Sequence, residues 1–75
     1  MKWFTNTFLP SFKMGETRIS EKQFFIFTKY LKERIENDYT EEYHGIIEGK
    51  KICAYVWDSV AGTQYFVRIQ EVNKW

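Results

Sequence analysis

The first regular pattern along the chain starts at Ile19. Ser20 carries the short oxygen-bearing side chain of a helix N-cap, Gln23 stands where a capping box places Glu or Gln, and Glu21 sets negative charge against the helix dipole. Ile19 and Phe24 occupy the positions of a hydrophobic staple. Phe24, Phe27, Leu31 and Ile35 then recur at the i, i+3, i+7, i+11 spacing of one helix face, so the pattern predicts an α-helix over Glu21–Asn37. Ile26 and Tyr30 lie on the opposite side and Phe25 between the two, which demands a second covering partner. The aromatic N-terminal segment, residues 1–18, offers one. Trp3, Phe4, Phe8, Leu9 and Phe12 precede Gly15, and the expectation is a short helix from Phe8 to Met14, or an earlier turn kinked at Pro10.

Beyond Tyr39 the period changes to two. Tyr43–Glu48, Lys51–Asp58 and Gln64–Val72, rich in Ile, Val, Tyr, Phe and Trp, predict three antiparallel strands in a meander. Gly49-Lys50 suits a two-residue hairpin loop, which pairs Ile47 with Ile52, Gly45 with Ala54 and Tyr43 with Val56. The second connection, Asp58 to Thr63, reads as a longer loop. The expected fold is α+β in a single domain: a short N-terminal helix and one long helix packed on a three-stranded antiparallel β-meander.

That register separates two faces. Ile47, Ile52, Ala54, Val56, Tyr65, Val67 and Ile69 form an apolar face that must meet the helices. His44, Ile46, Glu48, Lys51, Cys53, Tyr55, Trp57, Phe66, Arg68 and Gln70 form a mixed outer face. On it Tyr55 falls opposite Phe66, with Trp57 nearby and Lys51 and Arg68 flanking. Aromatics beside cations on an open sheet suit single-stranded nucleic acid, and Trp, Tyr and Arg equally suit a protein interface. The expected partner-binding residues are therefore Tyr55, Trp57, Phe66, Arg68, Lys51 and His44. A structural alternative folds the tail Val72-Asn73-Lys74-Trp75, or part of the N-terminal segment, across these aromatics. The Tyr65–Ile69 stretch is also expected to form a sheet edge open to pairing with another copy or a partner strand.

Composition narrows the functional classes. Eleven Lys and Arg balance ten Asp and Glu, a net charge of +1 that is too small for loose binding along DNA, so nucleic-acid contact requires a local patch. The single cysteine forms no internal bridge, which points to a reducing, cytoplasmic compartment. No signal peptide or membrane span is expected. One histidine and one cysteine give no zinc-finger spacing, and there is no phosphate loop or nucleotide fingerprint, so neither a metal nor another cofactor is expected. His44 and Cys53 share a face of neighbouring strands and form the one conceivable nucleophilic pair. The acidic residues from Glu33 to Glu42 read as a solvated helix end and loop, or as a contact for a basic partner. Within the 20% aromatic content, Trp3, Phe4, Phe8, Phe12, Phe24, Phe27 and Tyr65 read as filling a small core with few, large side chains, whereas Tyr55, Trp57 and Phe66 lack that explanation.

Trp3, Phe8-Leu9, Ser11-Phe12, Gly15, Ile19-Ser20-Glu21-Lys22-Gln23 and Phe27-Lys29-Tyr30-Leu31 resemble a segment of small accessory proteins of Firmicutes phages and related mobile elements, in which an aromatic-rich turn precedes an "[LI]SEKQ" helix start. The resemblance spans residues 3–31 and transfers no catalytic or binding residue. It implies a phage-encoded protein of the host cytoplasm, acting in phage DNA metabolism or against a host factor. Together with the residues above, it leads to the expectation of a non-enzymatic binding protein that modulates or inhibits a host or defence protein. A single-stranded nucleic-acid binder is the alternative, with homodimerisation as a further possibility and no membrane partner.

Overall fold

The computed structural model describes residues 2–38 and 40–72. The fold is α+β, but its sheet has five strands, not three, and its main helix is short. The elements are β1 (Gly15–Ile19), α1 (Glu21–Tyr30), β2 (Glu33–Glu36), β3 (Thr40–Ile47), β4 (Lys50–Ser59) and β5 (Gly62–Glu71), preceded by a π-helical turn over Phe4–Phe8 and a 3-10 turn over Leu9–Ser11. All neighbours in the order β1-β5-β4-β3-β2 are antiparallel. The edge strands β1 and β2 therefore run parallel to each other, joined by α1 across one face.

The start of α1 follows from its cap. The Gln23 N–H donates to Ser20 Oγ at 3.2 Å, and the Ser20 N–H donates to Gln23 Oε1 at 2.9 Å. Its end corrects the expected helix over Glu21–Asn37, because Leu31 is already extended (φ −103°, ψ 112°) and Glu33–Glu36 pair with β3. Crossing from one sheet edge to the other means four strand spacings, about 19 Å at ~4.8 Å each. Ten helical residues cover about 15 Å, and Ser20, Leu31 and Lys32 supply the remainder. A helix of about 17 residues, some 26 Å long, overshoots the sheet. Ile35 accordingly leaves the helical stripe for a strand.

Of the two alternatives for the N-terminal segment, the helix over Phe8–Met14 is not formed; the helical turns come earlier, over Phe4–Phe8 and Leu9–Ser11, with Pro10 at the start of the second, and they end at Phe12 (φ −101°, ψ 143°). Gly15 does not end a helix; it opens β1 at φ 94°. Phe4 stacks on Tyr30 with ring centroids 4.3 Å apart, and Phe8 and Phe12 meet Phe27 at 5.1 and 5.2 Å. Phe4, Leu9, Phe24, Phe27 and Leu31 thus join Ile52, Ala54, Val67 and Ile69 in one core. Gly45 lies under Leu31: a Cβ there would stand 2.9 Å from Leu31 Cδ2, so the absence of a side chain lets α1 end flush on the sheet.

The first predicted register is also corrected. The β3–β4 loop is Glu48-Gly49, both with positive φ (50° and 75°), as in the inward-twisting turns favoured by hairpins. Each β3 residue therefore meets a β4 partner two positions earlier than expected: Ile47 opposite Lys50, Gly45 opposite Ile52, Tyr43 opposite Ala54. A shift of two preserves the faces. The β4–β5 pairing continues to Ser59 opposite Gly62, which leaves a tight turn at Val60-Ala61 in place of the expected longer loop. The Tyr65–Ile69 stretch is not an edge, because β1 pairs along it. Among the described residues no helix is long and apolar enough to cross a membrane.

Candidate functional site

The helices occupy one face of the sheet, and the register lays the other face out in rows. One row reads Glu33, His44, Cys53, Arg68, Glu16 from β2 to β1; the next reads Ile35, Glu42, Tyr55, Phe66, Arg18. Thr40, Trp57 and Gln64 flank them on one side and Ile46, Lys51 and Gln70 on the other. All six expected partner-binding residues, Tyr55, Trp57, Phe66, Arg68, Lys51 and His44, lie on this face. Its outer strands bring Glu16, Arg18, Glu33 and Ile35, which were not anticipated there. The alternation in Glu16-Thr17-Arg18-Ile19 between Gly15 and Ser20 is a period-two signal that could have revealed β1.

The N-terminal segment packs on α1 and so does not cover these aromatics. The proposed covering tail falls mainly on residues 73–75, outside the described residues; Val72 donates its N–H to the Gly49 carbonyl at 3.0 Å. Tyr55 and Phe66 stack on each other, centroids 5.3 Å apart and planes 19° from parallel. The Tyr55 hydroxyl donates to Glu16 Oε1 at 2.5 Å, and Arg68 Nη2 donates to the same oxygen at 3.1 Å. These two donors hold the Glu16 carboxyl below its ordinary range, the Tyr55 hydrogen bond being the stronger influence. Burial, with the Glu16 carboxylate, pushes the Tyr55 phenol up to about 12. Trp57, Ile46 and Ile35 remain 50%, 67% and 47% exposed.

The charges on this face balance. Glu16, Glu33 and Glu42 stand against Arg18, Lys51 and Arg68, and the Arg68 guanidinium is tied to Glu16. The acidic stretch from Glu33 to Glu42 is divided by the sheet: Arg34 pairs with Glu36 and Glu41 on the helix side, whereas Glu33 and Glu42 face outward.

The corrected register also sets His44 directly opposite Cys53, with Glu42 two residues before His44. His44 Nε2 lies 2.9 Å from Glu42 Oε1 and 3.7 Å from Cys53 Sγ, and that sulfur lies 3.9 Å from the same carboxylate oxygen. A nucleophilic relay needs the thiol on one imidazole nitrogen and the orienting carboxylate on the other. Here both address Nε2. Burial foremost, and then the Glu42 carboxylate, also push the Cys53 thiol up to about 11, away from the reactive thiolate. Sequence reasoning placed His44 and Cys53 on one face but did not include Glu42. Among the described residues this is the one convergence of three side chains able to ligate a metal, with all three ligand atoms within 4.8 Å of one another.

The chain matches no known protein family, no curated protein and no solved structure.

Proposed function

We propose that the chain is a small non-enzymatic binding protein that occupies the surface of another protein with its open sheet face. The observation that carries this reading is a face exposing Trp57, Ile46 and Ile35 while its charges cancel within the face. Large apolar side chains amid paired polar groups are the composition of a protein interface, and Trp and Tyr supply contact area at little conformational cost. A polyanion is poorly served, because Arg68 already holds Glu16 and the Tyr55 and Phe66 rings already use one face on each other. The resemblance of residues 3–31 to phage accessory proteins supports a partner in the host cytoplasm, and modulation or inhibition of a host or defence protein as the outcome of binding.

The test is stoichiometric capture from a Firmicutes host lysate by the wild-type chain, repeated with Trp57→Ala and Ile46→Glu after circular dichroism has shown both variants folded. Both substitutions are expected to abolish capture. Capture unaffected by either substitution refutes the reading. So does salt-sensitive quenching of tryptophan fluorescence by oligonucleotides with no protein captured, which would favour single-stranded nucleic acid.

A further inference from the structure

The single histidine and single cysteine of the chain are nine residues apart and are brought into direct opposition by the β3–β4 hairpin, with a carboxylate against both. We propose that Glu42, His44 and Cys53 bind a zinc-like divalent cation at the centre of the open sheet face.

The distances support it. A tetrahedral ion at bond lengths of about 2.3 Å to sulfur, 2.05 Å to nitrogen and 2.1 Å to oxygen separates its ligands by about 3.6 Å (S to N), 3.6 Å (S to O) and 3.4 Å (N to O). The corresponding separations here are 3.7, 3.9 and 2.9 Å. The largest change required is an opening of the His44 to Glu42 contact by about 0.5 Å, as the hydrogen bond gives way to two metal bonds. The donor set also selects the ion. Thiolate and imidazole favour zinc and its neighbours over magnesium or calcium, which take oxygen ligands.

Charge balance agrees. Binding breaks the Cys53 S–H bond, releases its proton to solvent and forms a sulfur–metal bond, so thiolate and carboxylate together neutralise the dication. Arg68, opposite Cys53, opposes the cation only weakly because its guanidinium is engaged by Glu16. The His44 and Glu42 side chains are 20% and 33% exposed, so the ion has a path from solvent and water completes its coordination. This site does not depend on the docking reading, since the metal alone is its ligand.

Cobalt(II) provides the test, as a visible stand-in for zinc added to the chelator-treated full chain. One ion per chain is expected, with a near-ultraviolet thiolate-to-cobalt charge-transfer band and displacement by zinc. The band should vanish in Cys53→Ser, and affinity should fall about tenfold or more in both His44→Gln and Glu42→Gln. Absence of the band at saturating cobalt overturns the proposal. It is equally overturned if His44→Gln and Glu42→Gln both bind as tightly as wild type, because the metal would then sit on a bare thiol. Those two variants keep the test decisive should Cys53→Ser fail to fold.

Discussion

Replacing Phe4 by Ala tests whether the N-terminal segment is a structural layer or an appendage. The ring is fully buried, stacks on Tyr30 at 4.3 Å, and approaches Phe8 and Phe27 at 5.5 and 5.7 Å. Removing a buried phenylalanine costs about 3–5 kcal/mol, counting lost transfer energy and the cavity left behind. The upper half of that range is expected, because each aromatic pair adds about 0.5–1.5 kcal/mol beyond its area and Phe4 makes three. A 75-residue domain has a total stability of roughly 4–11 kcal/mol at about 0.05–0.15 kcal/mol per residue, so the substitution should remove about a third or more of it and move the urea midpoint sharply down. Trp3→Ala is the control: Trp3 is half exposed and touches Phe8 at one edge of the cluster, so its loss should cost under about 1.5 kcal/mol. Urea titration followed by far-ultraviolet circular dichroism measures both. Equal losses for the two variants, or a Phe4→Ala loss below about 1.5 kcal/mol with unchanged slope, would refute the view that the segment closes the core.

Two further outcomes follow from the outer face. Cys53, with its thiol raised from the usual 9.0 to about 11, should hold roughly a hundredfold less thiolate near pH 8 than an unperturbed cysteine. Alkylation by iodoacetamide should be slowed correspondingly in the metal-free fold, accelerate as pH rises toward 11 and become fast in urea; ordinary cysteine reactivity at pH 8 in the folded chain would contradict the burial argument. Glu16 has a folded pKa depressed below 4.5, so its contribution to stability is fully present above that value and is lost as pH falls through the lower folded one. Tyr55→Phe, which removes the stronger of its two donors, should raise the Glu16 pKa seen by carboxyl NMR titration toward 4.5; an unmoved pKa would show that the phenol does not hold Glu16.

What was legible in the chain was local or periodic. The capping box at Ser20 and Gln23 is short-range chemistry, so the start of α1 could be read to the residue. The two faces of β3, β4 and β5 follow from alternation alone, which is why Tyr55, Trp57, Phe66, Arg68, Lys51 and His44 all lie on the open side even though the β3–β4 register was misplaced. A slip of two positions leaves every side chain on its own face. It does change partners, and with them the chemistry: it moves His44 from opposite Tyr55 to opposite Cys53 and creates the convergence with Glu42.

The length of α1, the strands at its two ends and the mixed cluster were decided only by tertiary structure. No glycine or asparagine marks a stop at Leu31, and Ile35 continues the helical spacing as well as it fits a strand. The sheet resolves that ambiguity, because a chain leaving one edge must arrive at the other to satisfy both unpaired rows of backbone groups, and ten helical residues span most of the gap. Propensity and period act over a few residues at a time. The width of the sheet and the pairing of a residue with another across a hairpin are properties of the assembled layers.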